Sequence, residues 1–151
     1  MALWDVTGSI RLCGTFLRIR AGFELVKRRG SGAIISISSI WGKERWSNMA
    51  RWPAAAYCAL ESGVNGFAQA LSYEWQRSNI RVNSVCPGLV DTAHALRAVR
   101  DGDRILPEDV ARLVVFLASR EAKHLIRESM VAGQCGSDTM GGSQRRSSPV
   151  R

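Results

Sequence analysis

The spacing of apolar positions changes period several times along this chain of 151 residues. Phe16, Ile19, Phe23 and Val26 recur at helical intervals, which predicts a helix over 10–29 with one apolar face. Gly30 and Gly32 end it. AIISISS (33–39) is a short, isoleucine-rich run of the kind that forms a strand buried on both faces. The charges, glycine and proline of WGKERWSNMARWP (41–53) predict a loop. Residues 54–77 return to the helical interval, with Leu60, Val64, Phe67, Leu71 and Trp75 on one face. IRVNSVCPG (80–88) predicts a second buried strand, stopped by Pro87-Gly88. A polar connection leads to Leu106. PEDVARLVVFLASR (107–120) then predicts a third helix, with proline at its first turn and Glu108 and Asp109 beside it. SMVAG (129–133) predicts a last short strand. From Gly136 the chain is rich in Gly, Ser and Arg, so 136–151 is expected to be a disordered tail and 1–135 one domain.

Helix and strand therefore alternate three times, the order that builds an α/β fold with a parallel sheet and helices on both faces. Such sheets bind ligands at the carboxyl ends of their strands. Ser38 and Ser39 end the first strand, Pro87-Gly88 ends the second, and Tyr57 opens the helix between them. Three polar or backbone features converge on one edge.

Composition narrows the picture. The 46% apolar content suits one soluble core. No apolar run approaches the roughly 20 residues that span a bilayer. MALWDVTGSI lacks the basic start and long apolar stretch of a signal peptide, so a cytoplasmic protein without membrane contact is expected. Cys13, Cys58, Cys86 and Cys135 are scattered, a spacing of free thiols rather than of zinc or disulfide sites. His94 and His124 have no partner at ligand spacing, so no metal is expected. The net charge of +8 invites a nucleic-acid reading. Without residues 137–151, 18 basic and 12 acidic residues remain, a net of +6, with no long basic run. The densest cluster, KRRG (27–30), falls where a helix end favours cations. Trp41, Trp46 and Trp52, with Lys43, Arg45 and Arg51, have the composition of a single-strand binder. Their irregular phase favours packing or substrate contact, and nucleic acid is the weakest of the alternatives.

Five segments in order resemble the short-chain dehydrogenase/reductase family, over roughly residues 4–133. WDVTGSIRLCGTF resembles its asparagine-bearing helix. GAIISISSIWG is similar to its strand ending in the catalytic serine, and YCALE stands where the family has Y-x-x-x-K. IRVNSVCPGLVDT resembles its I-R-V-N-x-x-x-P-G-x-V-x-T segment, and PEDVARLVVFLAS its penultimate helix. The resemblance implies an NAD- or NADP-dependent oxidoreductase acting on a small carbonyl or alcohol. Ser39, with Ser38 as the less favoured alternative, and Tyr57 would be catalytic, with Pro87, Gly88, Val90 and Thr92 around the nicotinamide. It also implies a homo- or hetero-oligomer formed through the helices at 10–29 and 54–77.

The departures from the pattern are specific. Glu61 stands at the lysine position and Arg11 at that of the asparagine. A phenol titrates near pH 10 and needs a nearby cation to work at neutral pH. At about 6 Å and an effective dielectric of about 20, one charge is worth roughly 3 kcal/mol, or about two pH units. A carboxylate in place of a cation thus moves the phenol roughly four units the wrong way. No G-x-x-x-G-x-G or G-x-G-x-x-G loop occurs in the chain. The expected fold is therefore a partial Rossmann-like, doubly wound parallel sheet lacking the N-terminal βαβ half, with an exposed sheet edge. The expected function is a family homologue that is weak or inactive alone, with a non-catalytic partner of full-length enzymes as the alternative.

Overall fold

A computed structural model describes residues 2–43, 54–92 and 104–133. The loop at 44–53, the connection at 93–103 and the predicted tail at 136–151 lie outside the described residues.

The first helix begins earlier than its apolar spacing predicts. α1 (Ala2–Gly8) runs through a π-helical turn (Ser9–Cys13) into α2 (Gly14–Arg28). Gly8 and Gly14 keep helical dihedrals at the two joints, so the chain does not break there. A π turn holds an extra residue, which shifts the phase of everything before it and hides the early part from a 3.6-residue template. Gly30, at φ 73°, takes the left-handed conformation that ends the helix, and its N–H bonds to the Lys27 carbonyl at 3.0 Å.

β1 (Gly32–Ile37), α3 (Ala54–Trp75), β2 (Ile80–Pro87), α4 (Pro107–Ala118) and β3 (Ser129–Ala132) follow within a few residues of their predicted bounds. The three strands form a parallel sheet in the order β1-β2-β3, with Ile34 opposite Val82 and Val85 opposite Met130. Side chains alternate between its two faces. Ile34, Ile80 and Val82 meet Ala68 and Leu71 of α3 and Ile19, Phe23 and Val26 of α2. Ile35 and Val85 meet Val110, Leu113, Val114 and Leu117 of α4 on the other face. This is the α/β arrangement predicted from the alternation of elements.

Two polar residues of β2 also fasten the α4 side. The Arg81 guanidinium donates to the Leu117 and Ser119 carbonyls at 2.7 and 3.1 Å, capping the C-terminal end of α4. Asn83 donates to the Leu125 carbonyl at 3.0 Å and accepts from the Glu128 N–H at 2.9 Å, fixing the chain that leads into β3. β2 is buried almost throughout. β1 pairs with β2 alone among the described residues, and Ile37 at its end is 50% exposed.

Candidate active site

The site is built where the chain leaves β1 and meets the start of α3. Ser38 and Ser39 lie just past the strand, and Ser38 keeps one ladder bond, N–H to the Val85 carbonyl at 2.8 Å. A 3-10 turn (Ile40–Gly42) then runs against α3. Only glycine fits at 42, because a Cβ there would lie 2.6 Å from the Glu61 carbonyl carbon. The Gly42 carbonyl accepts from the Ser62 hydroxyl at 3.0 Å and the Asn65 amide at 3.2 Å. The Ser38 hydroxyl donates to the Glu61 carbonyl at 3.0 Å. These bonds join the loop to the helix and set Ser39 beside the first turn of α3, where Tyr57 stands. The Ser39 hydroxyl oxygen also accepts from the Trp41 N–H at 3.3 Å, and the Trp41 ring meets the Tyr57 ring nearly edge-on, 6.0 Å between centroids.

Tyr57 is half-buried between two opposite charges. The Arg11 guanidinium, on the π-helical turn, lies over the phenol ring 5.2 Å from its centroid. Its Nη1 is 3.2 Å from Oε1 of Glu61; the Glu61 side chain is fully buried and that of Arg11 is 44% exposed. Neither Glu61 oxygen accepts a well-aligned hydrogen bond among the described residues. Burial and then the Glu61 charge push the Tyr57 phenol above its ordinary value, while a hydrogen bond with Ser39 and the Arg11 charge pull it partly back. The direction agrees with the charge balance expected from YCALE.

The neighbouring strand end is also ordered. Pro87 is buried, and the Gly88 N–H bonds to the Ala132 carbonyl at 2.8 Å. Val90 forms a parallel bridge with Ile105, secured by the Asp91 N–H to the Ile105 carbonyl at 2.9 Å and by the Arg104–Asp91 ion pair at 3.0 Å. Thr92 is exposed at the end of this segment. Ser39 and Tyr57 thus lie side by side where the loop after β1 meets α3, and Pro87-Gly88 ends the adjacent strand on the same edge of the sheet.

Two features escape the sequence pattern. Lys43, the nearest lysine in the chain to Tyr57, donates its ammonium to the Ser129 carbonyl of β3 instead. Arg11 and Glu61, two separate departures from the motif in the sequence, are one ion pair in the fold. Opposite charges at two motif positions were the available signal. Among the described residues no group of His, Cys, Asp and Glu could hold a metal ion, and no helix is long and apolar enough to cross a membrane.

Residues 1–102 match the family described as short chain dehydrogenase. The chain belongs to that family. It is 37% identical over 137 residues to estradiol 17-beta-dehydrogenase 8 of Callithrix jacchus, covering 81% of this chain and 96% of that relative. Among solved structures, a 3-ketoacyl-ACP reductase from Sinorhizobium meliloti 1021 is 32% identical with a TM-score of 0.73, covering 85% of this chain and 57% of that one. A 4-hydroxyisoleucine dehydrogenase complexed with NADH and succinate is 25% identical with a TM-score of 0.69, covering 87% of this chain and 56% of that one. The chain spans about half the length of the other curated relatives it matches, such as a mouse (3R)-3-hydroxyacyl-CoA dehydrogenase.

The donor groups present fit the ribose hydroxyls of a nicotinamide cofactor. Glu61 is fully buried, but the Arg11 side chain beside Tyr57 is 44% exposed, and its guanidinium has N–H groups beyond the one paired with Glu61 that could donate to ribose hydroxyl oxygens.

Proposed function

We propose that this chain is an NAD(P)-linked oxidoreductase homologue whose own activity on small carbonyl compounds or alcohols is weak at neutral pH. A bound nicotinamide cofactor would supply the hydride. Ser39 would donate a hydrogen bond to the substrate oxygen, and Tyr57 would exchange a proton with that same oxygen. The observation that carries the reading is the seating of Tyr57 beside the loop that carries Ser39, edge-on to Trp41, with the phenol held above its ordinary value by burial and Glu61. A phenol so held keeps its proton. It can give one to a developing alkoxide but is a poor base toward an alcohol, so carbonyl reduction would be the less impaired direction.

The test is thermal unfolding of the whole chain with millimolar NADH or NADPH, followed by cofactor oxidation with a panel of 3-ketoacyl esters and cyclic ketones. Protection by either cofactor with slow turnover supports the reading. No shift with either cofactor overturns it.

A second reading has its own observation. Ile10, Leu17 and Leu25 of the first helical stretch are 62%, 53% and 65% exposed, and no residue of α2 is buried. An apolar groove lined by Trp4, Leu12, Phe16, Leu60 and Phe67 lies between that stretch and α3. Such a face suits pairing with a second copy or with a full-length relative. Co-expression with a relative and size-exclusion chromatography decide it: co-elution supports pairing, separate elution excludes it.

A further inference from the structure

The lysine position of the motif carries an acid, yet the site is not without a cation. Arg11 approaches from a different element, the π-helical turn, where the wider backbone aims a side chain away from the ordinary helical phase. Its guanidinium touches both members of the Y-x-x-x-E pair: it lies 5.2 Å over the Tyr57 ring and 3.2 Å from the Glu61 carboxylate. The geometry is asymmetric. The Glu61 side chain is wholly buried, whereas the Arg11 side chain is 44% exposed. A planar guanidinium can pair with a carboxylate on one edge while its remaining N–H groups stay available.

We propose that Arg11 is the site's cation and a positioning residue for Tyr57: Glu61 anchors the guanidinium from behind, and its exposed N–H groups receive the ribose hydroxyl oxygens of a nucleotide ligand. A cation stands on the helix where the family pattern has asparagine and an acid stands where it has lysine, and because the two meet as an ion pair the two departures form one coupled change. The ligand part of this rests on the oxidoreductase reading; the effect of Arg11 on Tyr57 does not.

The charged and titratable groups facing Tyr57 are Glu61 on its own helix and Arg11 on the π-helical turn, with Ser39 and Trp41 facing it from the loop after β1. Replacing Arg11 should therefore be legible on the phenol itself, with no cofactor present. The experiment places 3-fluorotyrosine at position 57, in a Tyr73→Phe background, and follows its titration by fluorine NMR. Fluorination lowers the phenol's titration range, which keeps the reading inside the range of the intact fold. Arg11→Gln should raise the midpoint by about one pH unit, taking an effective dielectric of about 40 for a half-exposed cation at about 6 Å. Arg11→Lys should restore most of that change, which a purely structural role would not do. If Arg11→Gln fails to fold, Arg11→Lys against the unaltered chain still reports: a change larger than half a pH unit would mean that charge is not what the site uses. A midpoint unmoved by Arg11→Gln overturns the proposal.

The ligand arm is separate. NADH protection against thermal unfolding should weaken about tenfold in apparent affinity in Arg11→Gln and recover partly in Arg11→Lys. Unaltered protection in Arg11→Gln overturns the ribose contact. A titration that responds to Arg11 in a chain that neither NADH nor NADPH protects overturns the oxidoreductase reading instead, and leaves the pairing of Arg11 with Tyr57 standing.

Discussion

The two ends of α3 are held by different physics. Its later turns set Val64, Ala68 and Leu71 into the core, where Ile80 and Val82 of β2 are no more than 1% exposed. Its first turns carry Tyr57 and Glu61 and are held to the loop after β1 by hydrogen bonds from Ser38, Ser62 and Asn65. Burial of apolar area is non-directional and tolerates many sequences of the right pattern. A proton-transfer site depends on the sign of one charge a few ångströms away. A family member can therefore keep the sheet, the loop and the serine–tyrosine contact while the charge at the lysine position reverses. The fold is carried by the core end, and the chemistry by the other.

That contrast can be broken most forcefully at the core end. Ile80→Ala removes a side chain packed beneath α3 and should cost about 3 kcal/mol of unfolding free energy, read as a lower urea midpoint with an unchanged slope. A cost below about 1 kcal/mol would mean that β2 is not the centre of the core. The join between the two ends comes next. Gly42→Ala puts a methyl group against the α3 backbone and should cost about 2 kcal/mol, with Trp41 fluorescence altered because the loop must move. Retained stability and an unchanged spectrum would show that the loop is not seated on α3 as described.

Much of the fold was legible because burial writes itself into periodicity. The isoleucines of β1, the apolar run of β2 and the one-sided faces of α3 and α4 each match a single template. Ser39 and Tyr57 stood out because motif order places them at one sheet edge, and in the fold the loop that carries Ser39 is seated on α3 near Tyr57. The early start of the first helix was not, since an extra residue in the π turn breaks the 3.6-residue phase. The partners of Arg81, Asn83 and Lys43 were not legible either. Each side chain chooses a carbonyl more than 35 residues away, and nothing local specifies which. Arg11 and Glu61 stood in plain view as two anomalies; only the meeting of the two helices makes them a pair.

The most direct test of the account lies in the charge of Glu61, the smallest chemical change of the three. Burial and the Glu61 carboxylate both raise the Tyr57 phenol, so the folded chain holds that proton more tightly than the unfolded chain, whose phenol titrates near pH 10. The stability this contributes is complete below about pH 10 and is lost as pH rises through the higher folded value. Glu61→Gln removes the charge and keeps the shape. In the 3-fluorotyrosine titration of position 57 it should lower the midpoint by about one to two pH units. An unchanged or higher midpoint would contradict the claim that this acid keeps the tyrosine protonated.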